Sequence, residues 1–163
     1  MQLPEEQQLA FDLGSLPPQL IPALWSVEDI YTHANTRVFK TLKEDRRIER
    51  KSANVNARTL GDYFSMWSNT PEGGILVVGI ENDGAITGLR NFSETIINEI
   101  EDCPRVYCPD AKSESRRVQV ENNRGNVDYV IVFWVQYRKD KVVTRELLGM
   151  KPLLMRVSTD HII

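Results

Sequence analysis

The feature that most constrains the fold is a short apolar run at residues 75–80, which contains Ile75, Val77, Val78 and Ile80. Two glycines precede it, and Asn-Asp-Gly follows it at 82–84. Short runs of β-branched residues between turn signals are typical of strands that are buried on both faces. The sequence therefore predicts a sheet with this strand in its interior.

Two helical patterns precede this strand. Ser26 is a candidate N-cap with acidic residues just after it, and apolar residues then recur every three or four positions as far as Leu42. Residues 59–67 show the same spacing. We therefore predict helices over 26–42 and 59–67, and an extended arm over the proline-containing residues 1–22.

Further elements follow the central strand. The Asp-Gly turn favours an antiparallel return, residues 92–100 have helical spacing, and the polar segment 121–126 is typical of a hairpin connection. This order of elements indicates an α+β domain, with a mixed β-sheet and two to three packed helices. The other predicted strands cover residues 85–88, 118–120 and 129–135, with weaker candidates at 142–143 and 153–157.

Length and composition bound the organisation of the chain. Its 163 residues are 41% apolar, which is sufficient for one domain with its own core. The longest apolar runs are much shorter than the roughly 20 residues that span a bilayer. We expect a cytoplasmic protein with no membrane segment, and free thiols at Cys103 and Cys108.

Charge is distributed unevenly along the chain. Residues 1–36 carry five acidic side chains and no Lys or Arg, whereas residues 37–163 hold all 20 Lys and Arg against 18 Asp and Glu. We therefore divide the chain into an acidic, proline-containing arm with a helix start, 1–36, and a domain, 37–163. The net charge of −3 does not exclude nucleic acid, because a phosphate backbone responds to a local basic patch.

Basic side chains are concentrated between residues 40 and 58, where seven of them accompany three acidic ones. This local excess could neutralise several phosphates if the basic side chains share a face. The alternative is a solvated helix end and loop. The candidate nucleic-acid-binding residues are Lys40, Lys43, Arg46, Arg47, Arg50, Lys51 and Arg58.

Four acidic residues could form a carboxylate site: Glu44, Glu49, Glu81 and Asp83. Clustered carboxylates can hold Mg²⁺ or Mn²⁺ beside a scissile phosphate. Ion pairing with the neighbouring arginines is the alternative. Glu44, Glu49 and Asp83 are therefore candidate catalytic residues of a metal-dependent nuclease, and outside that alternative we expect no metal or cofactor.

The glycines around the central strand match neither of two common phosphate-binding loops. No lysine follows them at P-loop spacing, and G-x-G-x-x-G is absent, so triphosphatase and dehydrogenase sites of these types are excluded. Turns and close packing explain the glycines, and we expect the Asn69 side chain to face the backbone of the 73–74 turn. The residues of this structural motif are Asn69, Gly73, Gly74, Gly79 and Gly84.

The same residues form a longer pattern: an acidic pair with a lysine, then Asn-Thr and two glycines before the central strand, and Asp-Gly after it. Its members are Glu44, Glu49, Lys51, Asn69, Thr70, Gly73, Gly74, Gly79, Asp83, Gly84 and Gly88. This pattern resembles the signature of the Schlafen AlbA-like DNA-binding domain family. The hairpin at 118–135 and the segment 155–159 are similar to the remainder of that signature, so the resemblance covers about residues 40–160.

The resemblance implies a mixed α/β domain that binds nucleic acid, commonly as the N-terminal module of a larger bacterial regulator. Some eukaryotic members use three carboxylates of this domain as a metal-dependent RNA nuclease. The first two fall on Glu44 and Glu49, and the third falls on Asn82, next to Asp83. Trp67, Arg50 and one extra residue before the paired glycines depart from the family pattern.

We therefore predict a nucleic-acid-binding module, with DNA favoured over RNA as its partner, that acts in transcriptional regulation. Two alternatives stay open: a metal-dependent nuclease, and a protein–protein assembly or ligand-sensing domain whose arm, 1–36, packs on a basic surface. Formation of homo-oligomers and further C-terminal domains in the natural protein are compatible with this prediction.

Overall fold

The computed structural model describes residues 22–146. A four-stranded mixed sheet lies at its centre, with strand order β1-β2-β4-β3. Strand β1 pairs with β2 in parallel, and the other two pairings are antiparallel. The strands are β1 (Ile48–Lys51), β2 (Gly74–Val78), β3 (Lys112–Glu121) and β4 (Val127–Gln136).

Helices cover both faces of this sheet. The first face carries α1 (Val27–His33) and α2 (Thr36–Thr41). The second carries α3 (Ala57–Ser68), α4 (Glu94–Glu101) and α5 (Cys103–Tyr107). Every residue of β2 is buried, as the apolar run predicts, because helices pack against both sides of it.

The predicted helix over 26–42 is two helices. Ser26 caps α1 as expected, in a capping box with Asp29. The chain then becomes extended at Asn35, whose side-chain oxygen accepts a hydrogen bond from the N–H of Val38 at 2.9 Å. Asparagine is a strong N-cap, so it begins a new helix at a point where apolar periodicity alone predicts continuity.

Several strand predictions also need correction. Strand β1 was not predicted, and β3 begins six residues before the predicted 118–120. Residues 85–88 form only an isolated bridge between Ile80 and Ile86, and residues 142–143 lie outside any strand. The strand candidate at 153–157 and most of the arm, 1–21, lie outside the described residues.

The predicted fold class is confirmed: this is an α+β domain built on a mixed sheet. It has five α-helices within residues 22–146, rather than two to three. Helix α1 lies within the segment assigned to the arm, and its Val27, Ile30 and Tyr31 belong to the core of the first face. Among the described helices, none has the length and apolar character needed to cross a membrane.

Both cysteines are free and buried on the second face. Burial raises the pKa of Cys103 to about 12 and that of Cys108 to about 11. Because the thiolate is the reactive form, we expect neither thiol to react rapidly with a disulfide reagent at pH 8 until the protein is unfolded in denaturant. Fast labelling of the native chain would contradict this prediction.

Candidate functional site

Strand β1 is an edge strand that places its charged side chains on two faces of the sheet. Side chains alternate along a strand. Ile48 and Arg50 therefore face the α1–α2 side, and Glu49 and Lys51 face α3. The basic residues that the sequence predicts as one patch are thus divided between the two faces.

Arg50 connects β1 to the turn that follows β2. Its backbone N–H and its Nε donate to Glu44 Oε1 at 3.2 and 3.4 Å. The side chain is only 15% exposed, and its Nη1 lies beside Gly84, 3.3 Å from where a Cβ would be. Arg50 is therefore a fixed positive charge with a carboxylate partner.

A shallow groove lies between α2 and the same turn. Lys40 and Lys43 line it, both are exposed, and neither forms an ion pair within residues 22–146. These two lysines are therefore available to an anionic ligand. We call this surface the basic groove, defined by Lys40, Lys43, Glu44, Arg50, Asp83 and Gly84.

Lys51 lies on the other face and is engaged by its neighbours. Its Nζ is 3.0 Å from Glu49 Oε1 and 5.2 Å from the centre of the Tyr63 ring. Interaction with the Tyr63 side chain, and then with Glu49, outweighs partial burial and raises the pKa of Lys51. This lysine stabilises the packing of β1 against α3.

Arg46 and Arg47 precede β1, at the opposite end of the strand from the basic groove. Arg47 pairs with Asp45 and donates to the carbonyl oxygen of Trp25. Burial raises the pKa of Asp45, but the Arg47 N–H and guanidinium lower it by more, so the net shift is downward. Arg46 is largely exposed and lies 3.9 Å from Glu72.

Arg58 stands apart from both groups. It lies in the first turn of α3, where its N–H donates to the side chain of Asn56, and its own side chain is exposed with no ion pair among the described residues. Of the seven predicted cations, only Lys40 and Lys43 both lack an ion pair within residues 22–146 and line the same groove.

The three candidate carboxylates are not assembled into one cluster. Glu44 and Asp83 line the basic groove, where Glu44 accepts from Arg50 and Asp83 accepts the N–H of Ala85. Glu49 points to the other face, toward Lys51. Within residues 22–146 no group of three His, Cys, Asp or Glu side chains is placed to hold a metal ion.

Asn69 has a structural contact, but with a different partner from the one predicted. Its Nδ2 donates to the carbonyl oxygens of Ser65 and Val143, and its Oδ1 accepts the N–H of Val143 at 2.9 Å. The expectation that it faces the 73–74 turn is wrong. The partner lies 74 positions away in sequence, so no local pattern could identify it.

The four glycines of the predicted motif surround β2. Gly74 begins the strand directly beneath the indole of Trp67. The φ angle of Gly73 is +69°, and an added Cβ there would lie 2.0 Å from the Val135 carbonyl oxygen. Gly79 and Gly84 follow the strand and also have positive φ.

A second polar surface was not predicted from the sequence. It lies between residues 87–92 and the hairpin loop 122–126, and it includes Arg90 and Arg124. The signal that could have identified it is the composition of that loop, which has three asparagines beside Arg124. The polar composition of that loop alone is also what a simple connection between two strands would have.

Architecture and motif together define a mixed-sheet domain with helices on both faces and a partly basic strand edge. The chain belongs to the Schlafen AlbA_2 family, whose model, described as "Schlafen, AlbA_2", matches residues 44–158. The predicted family resemblance is therefore confirmed.

One similar solved structure is the DIP2311 protein from Corynebacterium diphtheriae, with 18% sequence identity and a TM-score of 0.42. The match covers 79% of this chain and 27% of that one. No curated protein matches this chain.

Proposed function

We propose that this domain binds nucleic acid, with DNA as the favoured partner, and that it acts in the cytoplasm as the targeting part of a transcriptional regulator. Membership of the AlbA_2 family supports the class of function. The observation that carries the proposal is the basic groove, where Lys40 and Lys43 form no ion pair within residues 22–146 and Glu44 is paired with Arg50.

Ion pairing favours some of the predicted residues over others as phosphate contacts. A cation that already has a carboxylate partner gains little from a second anion, because that partner competes for it. Arg47, Arg50 and Lys51 are paired and half-buried. Lys40 and Lys43 therefore provide the main phosphate contacts, and the exposed Arg46 and Arg58, which lie away from the basic groove, are secondary candidates.

The test is the salt dependence of binding to duplex DNA by the full chain. Each phosphate contact contributes about −0.9 to the slope of log K against log salt concentration. We expect the double substitution Lys40→Ala and Lys43→Ala to flatten that slope by about 1.8, and Arg50→Ala to change it much less. Fluorescence anisotropy at several salt concentrations measures both slopes.

A matched control removes two charges elsewhere. Lys112 and Lys139 are exposed, form no ion pair within the described part of the chain, and lie by the C-terminal end of β4, together with Tyr137. Their double alanine variant should retain the parental slope. If both double variants flatten the slope equally, binding depends on net charge and the basic groove is not the site.

The nuclease alternative makes a separate prediction. If Glu44 and Asp83 hold a cation in the basic groove, RNA or single-stranded DNA should be cut in Mn²⁺ and spared in chelator, and Glu44→Gln should be inactive. We expect no such metal-dependent cleavage, because Glu44 is held by Arg50 and Glu49 lies on the opposite face.

A further inference from the structure

A second groove lies across the 81–88 turn from the basic groove. Its walls are residues 87–92, the hairpin loop 122–126 and Asn54 from the loop after β1, and its volume is about 330 Å³. Sites for small molecules begin at about 300 Å³, so it is large enough for one small ligand. We call it the amide groove, defined by Asn54, Arg90, Asn91, Phe92, Asn123 and Arg124.

Some polar side chains of its lining are already engaged and others are exposed without a partner in the described part of the chain: Arg90 Nη1 donates to the carbonyl oxygen of Val127 at 3.1 Å, and the Asn122 amide is hydrogen-bonded at both ends. Within residues 22–146 the amides of Asn54, Asn91 and Asn123 form no hydrogen bond, and Arg90 and Arg124 form no ion pair. The only acid in the lining is Glu81, which accepts a hydrogen bond from the Thr87 hydroxyl at 3.0 Å. The groove therefore combines two exposed guanidinium groups, of which that of Arg90 is oriented by a backbone carbonyl oxygen, with three amides that have no partner among the described residues.

Two of the walls, residues 87–92 and the hairpin loop, are connected to each other by one buried carboxylate. Asp128, which is 5% exposed, accepts the N–H groups of Leu89 and Arg90 at 2.9 Å and the Asn122 amide at 3.0 Å. Asn122 in turn accepts the N–H of Arg124. A site whose walls are already ordered loses less conformational entropy when a ligand binds.

We propose that the amide groove binds one unpaired nucleotide. Guanidinium groups bind phosphate through charge-assisted hydrogen bonds. Asparagine amides present a donor and an acceptor side by side, which matches the edge of a base. Phe92 also lines the groove, with its ring half-buried against the core of the second face, and aromatic rings are surfaces on which bases stack.

The position of the groove indicates how a strand would reach it. Asp83 and Gly84 of the turn line the basic groove, while Glu81, Thr87 and Gly88 of the same turn line the amide groove. A strand whose backbone lies against Lys40 and Lys43 would cross this turn to place a base further along in the amide groove. The inference thus deepens the proposed function. Binding of a strand, as distinct from a free nucleotide, rests on that proposed function.

The test uses the full chain with three probes: adenosine monophosphate, a fluorescein-labelled oligodeoxyadenylate of about eight nucleotides, and a duplex. Arg124 is exposed at the loop, so Arg124→Ala leaves the fold intact. We expect it to weaken binding of the oligonucleotide about tenfold, the cost of one charge-assisted contact. Asn123→Ala should weaken it by a smaller factor.

Lys139→Ala is the matched control, because it removes one exposed positive charge at the other end of β4. It should leave binding of the oligonucleotide unchanged. Two results would overturn the proposal. One is equal affinity of Arg124→Ala and Lys139→Ala for the oligonucleotide, and the other is that the parent chain binds neither adenosine monophosphate nor the oligonucleotide. Adenosine monophosphate binding that is lost in Arg124→Ala identifies a free nucleotide as a sufficient ligand, and binding of the oligonucleotide alone identifies a strand.

The duplex separates this inference from the proposed function. Suppose that the salt dependence of duplex binding requires Lys40 and Lys43, but neither adenosine monophosphate nor the oligonucleotide binds. Then only nucleotide binding by the amide groove is rejected. Suppose instead that adenosine monophosphate binds and Arg124→Ala abolishes its binding, while substitution of Lys40 and Lys43 leaves duplex binding unchanged. Then only the proposed function is rejected.

Discussion

Asp128→Asn is expected to lower the free energy of unfolding by about 3 kcal/mol. One oxygen of this carboxylate accepts the N–H groups of Leu89, Arg90 and Tyr129, and the other accepts the Asn122 amide. An amide at position 128 can keep the first oxygen but must place its NH₂ against the NH₂ of Asn122. Asn122 cannot reverse its own amide, since its Oδ1 accepts from the backbone of Arg124 and Asn126.

The reciprocal substitution provides the control. Asn122→Asp alone places two carboxylates about one hydrogen bond apart, which is also destabilising. In the double variant a carboxylate at 122 accepts from an amide at 128, so donor and acceptor match again. We expect the double variant to be more stable than either single variant by about 2 kcal/mol. Additive losses in urea unfolding would show that this contact does not couple the two positions.

The effect of Asp128→Asn should also depend on pH. Burial raises the pKa of Asp128, but the hydrogen bonds from Asn122, Tyr129, Arg90 and Leu89 together lower it below the ordinary 3.8. A carboxylate with a lowered pKa in the native state adds stability above pH 3.8, and this stability is lost as the pH falls through the native pKa. The difference between parent and variant should therefore narrow below pH 4.

The predictability of this fold from sequence follows the burial of each element. Strand β2 is identifiable because helices cover both its faces and every position is apolar. Strand β1 lies at the sheet edge, buries only Ile48 fully, and otherwise carries charges, a common protection of edge strands. Without apolar alternation such a strand is not distinguishable from a loop.

The candidate site was only partly predictable, for a geometric reason. The basic residues of 40–58 are adjacent in sequence, but strand alternation sends Arg50 and Lys51 to opposite faces. The amide groove combines residues from near 54, 90 and 124, and only the folded chain brings these together. The assignments of all seven basic residues of 40–58 to phosphate, and of Glu44, Glu49 and Asp83 to catalysis, stay predictions.

Gly74→Ala should destabilise the domain by about 3 kcal/mol, at the upper end of overpacking effects. A Cβ at this position would lie 2.1 Å from two ring atoms of Trp67, which is 2% exposed. The indole cannot move away freely, because its Nε1 donates to the Arg46 carbonyl oxygen at 3.1 Å and Phe64 and Tyr63 pack beside it. Either β2 or α3 must shift to accept the methyl group.

Gly125→Ala separates steric from conformational cost. The φ angle of Gly125 is +78°, yet the nearest atom to an added Cβ is 3.9 Å away, so this variant tests backbone strain alone. It should cost only about 1–2 kcal/mol. An added methyl group at position 74 would press on the buried indole of Trp67, so Gly74→Ala should shift tryptophan emission in the native state. Gly125→Ala should leave the emission unchanged. Equal losses of stability with unchanged emission would mean that the sheet accommodates a side chain beneath Trp67.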